Sequence, residues 1–241
     1  MSDYTYLDLA KMIDHSLLNP VLTTAELESG CLLARLYDTA SVCILPYYLS
    51  RATELLEGSD VKPSTTIGFP HGGHTTAIKA AEARRAVEDG ALELDMVINL
   101  SKALSGDWDY VKADIAAVVD VAHASDRKVK VIFENYYLQD NHKIRLCEIC
   151  AQLGADWVKT STGYAAGGST DEDLKLMRRH SPAAVQVKAA GGIRDLEALL
   201  RVRALGVTRV GATRTAQMME DARRRLGLSP LAEATATPAG Y

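Results

Sequence analysis

Lys159 and Lys188 are the residues of this chain best placed to do chemistry. Each lies in a short β-type run, Trp157–Lys159 and Val185–Lys188, and side chains along a strand alternate between two faces. Val158, Val185 and Val187 take the face toward covering helices, which leaves Trp157, Lys159, Gln186 and Lys188 on the inner one. In Glu93–Ile98, Leu94 and Met96 face out, so Glu93, Asp95 and Val97 face in. Lysine is almost never buried without a reason, because taking an ion out of water is costly. A free lysine of pKa ~10.4 is neutral in about one molecule in 2,500 at pH 7. Two ammoniums ~5 Å apart at an effective dielectric of ~20 repel by ~3 kcal/mol, about two pKa units. One of them then becomes an amine able to attack a carbonyl while its neighbour keeps the charge. A carboxylate in reach can relay protons to and from the adjacent carbon.

The competing reading is a lysine–carboxylate network that only fills the interior. Two lysines at one height on adjacent strands count against it, since like charges do not stabilise a fold. The inward set is completed by Asp14, by Ser41 and Cys43 (with Val42 and Ile44 outward), and by Lys130 and Glu134. Such a convergence is the layout of a Schiff-base (class I) aldolase.

Positioning these groups requires an ordered set of strands. β-type runs are read at Met12–His15, Ser41–Ile44, Ser64–Ile67, Glu93–Ile98, Val129–Phe133, Trp157–Lys159, Val185–Lys188 and Thr208–Gly211. Helical patterns separate them, most clearly Trp108, Val111, Ile115, Val118 and Ala122, whose steps of three and four mark one buried face. Thr23 with Glu26 forms a capping box, Asp195 caps a later helix that Gly206 ends, and Gly90 and Gly154 close two others. Eight strand–helix units predict a single-domain (β/α)₈ TIM barrel over residues 1–227, with Leu228–Tyr241 as a mobile tail. An open doubly wound sheet fits less well, because no Gly-x-Gly-x-x-Gly turn follows the first strand.

Composition narrows the partners. The 241 residues carry a net charge of -4, are 47% apolar and 24% charged, and include four cysteines. That excludes disordered and collagenous chains and a secreted disulfide framework. An acidic balance argues against nucleic acid. The longest run free of Asp, Glu, Lys and Arg, Pro63–Ile78, is too rich in Thr, Gly and His to span a membrane, and no signal peptide is visible. The expected setting is cytoplasmic.

Glycine loops supply the remaining half of a site. Gly163-Tyr164-Ala165-Ala166-Gly167-Gly168, Gly191-Gly192-Ile193-Arg194 and Gly211-Ala212-Thr213-Arg214 follow the last three strands. Glycines let backbone N–H groups approach an anion, and barrels commonly bind phosphate after strands seven and eight. With two arginines, these loops point to a phosphorylated small molecule.

At these residues the sequence resembles the deoxyribose-phosphate aldolase family over nearly its whole length. The matching segments are Ile13-Asp14-His15-Ser16-Leu17-Leu18, Val42-Cys43-Ile44, Ile67-Gly68-Phe69-Pro70, Glu93-Leu94-Asp95-Met96-Val97-Ile98-Asn99, Val158-Lys159-Thr160-Ser161-Thr162-Gly163 and Val187-Lys188-Ala189-Ala190-Gly191-Gly192-Ile193-Arg194. The resemblance implies reversible cleavage of 2-deoxyribose 5-phosphate to acetaldehyde and glyceraldehyde 3-phosphate, with no metal or organic cofactor, by a homodimer. It implies that Lys159 forms the Schiff base, that Lys188 depresses the pKa of Lys159, and that Asp95 relays protons through water. Asp14 and Cys43 would line the pocket, and Thr162 would contact a substrate hydroxyl. Gly163, Gly191, Gly192, Arg194, Gly211, Thr213 and Arg214 would surround the phosphate.

Tyr164, Ala165 and Arg214 depart from the family pattern, so Arg214 either strengthens phosphate capture or faces solvent. Cys147-x-x-Cys150 lies late in a helix and reads as core packing. The pair His71 and His74 reads as loop histidines without a third metal ligand, and His15 as a hydrogen-bonded structural residue. Tyr241 is either part of an unstructured end or, as the family resemblance allows, a tyrosine that assists proton transfer. Two other readings stand beside the primary one: an aldolase preferring another or unphosphorylated aldehyde acceptor, and a non-catalytic phosphosugar-binding barrel.

Overall fold

The computed structural model describes residues 4–231. In chain order the elements are α1 (Tyr6–Ala10), β1 (Ile13–Leu17), α2 (Thr24–Tyr37), β2 (Ser41–Ile44), α3 (Leu49–Leu56), β3 (Lys62–Ile67), α4 (Thr76–Glu88), β4 (Glu93–Val97), α5 (Leu100–Leu104) and α6 (Trp108–His123). There follow β5 (Lys128–Ile132), α7 (Asp140–Leu153), β6 (Trp157–Lys159), α8 (Asp171–His180), β7 (Gln186–Ala190), α9 (Leu196–Ala204), β8 (Arg209–Ala212) and α10 (Thr215–Arg225). The eight strands are parallel and close in sequence order, with β8 pairing back onto β1. This is the expected (β/α)₈ barrel, and every expected strand is present.

The differences lie at strand ends. The first strand runs Ile13–Leu17, and the seventh starts at Gln186 and continues to Ala190. Glu134 is not on a strand. β5 stops at Ile132, and Glu134 takes a left-handed conformation (φ 57) that turns the chain while its side chain stays buried.

Local chemistry explains the helices. The Thr23 hydroxyl accepts from the Glu26 N–H, and the Glu26 carboxylate accepts from the Thr23 N–H at 2.7 Å, so two otherwise orphaned donors at the start of α2 are satisfied. Asp195 accepts from the Ala198 N–H at 2.8 Å and starts α9. Val111, Ile115, Val118 and Ala122 form the fully buried stripe of α6. Cys147 and Cys150 lie in the core on α7, where burial pushes the Cys147 thiol up to about 11; they pack and do not react.

Outward strand residues such as Val42, Leu94, Met96, Val131, Val158 and Val187 are buried beneath the helices. The inward residues are mostly polar, so the barrel has an aliphatic shell around an ionic interior. Register sets that interior in layers: Asp95 pairs with Lys130, Lys159 with Lys188, and Lys188 with Arg209. Among the described residues no helix is long and apolar enough to cross a membrane.

Candidate active site

Asp95 stands at the centre of the interior. Its Oδ2 accepts from Lys159 Nζ at 2.8 Å and from Lys188 Nζ at 2.7 Å, and its Oδ1 accepts from Lys130 Nζ at 2.8 Å. Lys188 Nζ also lies 2.5 Å from Asp14 Oδ2. Asp14 Oδ1 accepts from Ser41 Oγ at 2.7 Å and from Arg209. Glu93 is gripped by both terminal nitrogens of Arg209 and lies 2.5 Å from Lys130 Nζ. Lys159 has a single ion-pair partner among the described residues, Asp95, and its side chain is 4% exposed.

These contacts divide the lysines. Burial drives Lys159 below the usual lysine range; Lys188 pushes the same way, and Asp95 opposes both. Burial also works against charge on Lys188, but Asp14 and Asp95 outweigh it and hold Lys188 above the usual range. The same balance keeps Asp95 well below the usual carboxylate range, because three lysines overcome its burial. The order of causes differs from the sequence expectation: loss of water acts on Lys159 more strongly than its neighbour's charge does. Burial pushes the Cys43 thiol up to about 11, so it presents a neutral wall.

Thr162 follows β6. Its hydroxyl donates to Glu134 and accepts from the Tyr164 N–H at 3.0 Å, while burial raises the Glu134 carboxyl. The Tyr164 hydroxyl crosses to the Leu18 carbonyl after β1 at 2.7 Å, and its ring meets Phe69, after β3, edge-on at 5.4 Å. The β6 loop therefore reaches the opposite wall of the barrel mouth.

The glycine loops meet each other. Gly191 has φ 79, and a Cβ there would lie 2.8 Å from Gly168 Cα; a Cβ on Gly168 would lie 2.5 Å from Gly191 O. Only glycine permits that approach. Ser169 joins the loops further by donating its N–H to Gly191 O at 3.1 Å and its hydroxyl to the same oxygen at 3.0 Å. Gly163 and Gly192 also have positive φ and are exposed. Gly211 lies within β8, where a Cβ would sit 3.8 Å from Lys188 Cε, so its absence leaves room above that lysine. Thr213 is half-buried beside it, and Arg194 and Arg214 are exposed. Tyr241 lies outside the described residues.

His15 bonds Thr215 Oγ1 through Nδ1 at 2.8 Å, and burial lowers it to about 4, which makes it a neutral brace between β1 and α10. His71 and His74 are exposed on the loop after β3. Sequence reasoning missed Arg209. The signal was present, because alternation puts Arg209 on the same face as Gly211.

A closed (β/α)₈ barrel with a desolvated lysine and paired carboxylates inside belongs to the barrel enzymes that do their chemistry at the C-terminal ends of the strands. The chain belongs to one such family: the sequence model for the DeoC/LacD family aldolases matches residues 9–216. It is 63% identical to a deoxyribose-phosphate aldolase of Rhodopirellula baltica over the full length of both chains. It is 47% identical to a deoxyribose-phosphate aldolase of Thermococcus gammatolerans, over 90% of this chain and 97% of the other. The tetrameric deoxyribose phosphate aldolase of Aeropyrum pernix superposes with a TM-score of 0.84 at 30% identity, covering 91% of this chain and 92% of that one.

Proposed function

We propose that this chain is a class I aldolase that reversibly cleaves 2-deoxy-D-ribose 5-phosphate to acetaldehyde and D-glyceraldehyde 3-phosphate. The observation that carries the reading is Lys159: a buried amine with one shared carboxylate partner, in a chain whose full-length relatives bear that enzyme's name. Lys159 attacks C1 of the open-chain sugar, and loss of water gives an iminium. The C2–C3 bond then breaks, its electron pair moving into the iminium to leave an enamine. C3 becomes the aldehyde of the leaving triose phosphate as its hydroxyl loses a proton. Asp95, through water, carries that proton away and returns one to C2, and hydrolysis releases acetaldehyde and the free amine. Lys188 holds its positive charge beside Asp95 and keeps the amine form of Lys159 accessible.

Asp14 and Cys43 line the pocket, Thr162 meets a substrate hydroxyl, and Gly163, Gly191, Gly192, Arg194, Gly211, Thr213 and Arg214 receive the phosphate. Gly191→Ala tests the loop role, since its methyl must displace Gly168. KM for the phosphorylated sugar should rise ~10-fold or more, with kcat changed far less. Steady-state kinetics on both sugars checks this, because KM for unphosphorylated 2-deoxyribose should stay put.

Borohydride reduction in the presence of 2-deoxyribose 5-phosphate, read by intact mass and peptide map, tests the chemistry. A two-carbon adduct on Lys159 is the expected result. A five-carbon adduct would mean that the bond is not broken. No adduct on folded protein would favour a binding barrel instead. Exposed Arg194 and Arg214, together with Tyr164 and Ala165 at the phosphate end, favour as second reading an aldolase with a different or unphosphorylated acceptor. The proposal places the enzyme in the cytoplasm as a homodimer.

A further inference from the structure

The ion-paired set inside the barrel carries one more cation than carboxylates, because the fourth buried carboxyl, Glu134, is held by Thr162 instead. Lys130, Lys159, Lys188 and Arg209 form one ion-paired set with Asp14, Glu93 and Asp95. An arginine does not give up its proton in a protein. Arg209 is further secured by its place at the base of the barrel. It grips Asp14 and Glu93, stacks 5.0 Å from the Trp157 ring and is 11% exposed to a cleft of about 490 Å³. The excess must therefore be shed by a lysine. Lys130 touches three carboxylates and Lys188 two, whereas Lys159 touches one, already shared with both others.

We infer that Arg209, which lies at the far end of the barrel from the substrate, is the positioning residue that forces Lys159 to stand as the free amine. The inference rests on the imine role of Lys159 and extends it to a residue that substrate never meets. Substrate-side geometry alone would leave the three lysines free to share three carboxylates as three ammoniums. It is the fourth, permanent charge that breaks this parity. The directions of the perturbations agree: Lys159 lies below its ordinary range, while Lys130, Lys188 and Arg209 all lie above theirs.

Other charges face these groups. Lys159 is met by Asp95 from β4, Lys188 from β7, Cys43 from β2 and Glu134 after β5. Glu134 is held by Thr162 and joins no ion pair among the described residues, and its charge opposes the effect of Arg209. Arg209 is met by Asp14 from β1, Glu93 from β4, Lys130 from β5 and Trp157 from β6. Lys11, Asp60, Lys62, Asp126 and Lys128 line the basal cleft around it, where water screens them.

Charge changes of opposite sign provide the test. The readout is the pH dependence of cyanoborohydride trapping of acetaldehyde on Lys159, located by peptide mapping, with circular dichroism to establish folding. Arg209→Met removes the odd cation, so Lys159 keeps its proton to higher pH. The midpoint should rise by about one unit, with trapping at pH 7 down roughly tenfold and restored near pH 9. Glu93→Gln removes an anion and should move the midpoint the other way, with faster trapping at pH 6. The double variant restores the count and should return the midpoint to the wild-type value, as should Arg209→Lys alone. Should Arg209→Met fail to fold, Glu93→Gln and the double variant still decide. Unmoved midpoints in folded variants would overturn the inference and leave Arg209 a structural brace. No adduct on wild-type protein would instead overturn the imine reading beneath it.

Discussion

Lys159→Met leaves a folded barrel that turns over 2-deoxyribose 5-phosphate at least ~10⁴-fold more slowly and takes up no borohydride adduct. The first part follows from the ion pairs. Asp95 loses one partner of three and still holds Lys130 and Lys188 at 2.8 and 2.7 Å. No carboxylate of the ion-paired set is orphaned, and Lys130, Lys188 and Arg209 still face Asp14, Glu93 and Asp95, so the cost to stability should be within about 1 kcal/mol. The loss of turnover follows from the chemistry, since without the amine no covalent intermediate can form, and removing a covalent nucleophile typically costs several orders of magnitude. Near wild-type melting with absent turnover is the expected pair of results. A variant that retains turnover above about 1% of wild type would place the nucleophile elsewhere.

Asp95→Asn separates two effects that Lys159→Met cannot. The amide removes the negative charge that three lysines share and turns one of the two acceptor oxygens into a donor, and breaking a buried ionic set in this way costs about 3–5 kcal/mol, or a melting point lower by about 10 °C. The effect on Lys159 runs in the opposite direction to the damage. Asp95 favours the ammonium form of Lys159, so its removal lowers the pH at which the amine appears. Imine trapping at pH 7 should therefore be retained or faster. Turnover should still fall by ~10²–10⁴, because the group that takes the proton from the C3 hydroxyl and returns one to C2 is gone. Single-turnover trapping alongside steady-state kinetics checks the split. If both rates fell in parallel, Asp95 would only position the lysines.

Much of this could be read from the chain because alternation in a strand is a local property. Lys159, Lys188, Asp95 and Asp14 were assigned inward from neighbours one residue away, and the barrel puts each of them inside. Lys159 and Lys188 stand at one height, in direct register on adjacent strands, as alternation in their two strands implies. Relations between distant residues were not legible. Arg209 meets Glu93 across 116 residues and Asp14 across 195, and no pattern within one segment announces such partners. The relative weight of burial and of Lys188 on Lys159 depends on how completely eight strands exclude water, which no single strand encodes. Glu134 is inside as expected but by another route: β5 stops at Ile132, and a left-handed turn, not strand alternation, directs the buried carboxyl to Thr162.

The contact between Gly168 and Gly191 has a mechanical meaning. Two backbones that touch without an intervening side chain, tied again through Ser169, cannot open separately, so the loops after β6 and β7 move as one jaw. Two of the eight loops on the barrel rim are thereby rigid by construction, and inserted or enlarged residues there would pry the jaw apart. Whereas the Tyr136 ring packs against Gly167 of the jaw, tolerance for change falls to loops on the far side of the rim, where Tyr47 stands exposed after β2. A library aimed at new aldehydes should spend its diversity there and leave the jaw untouched.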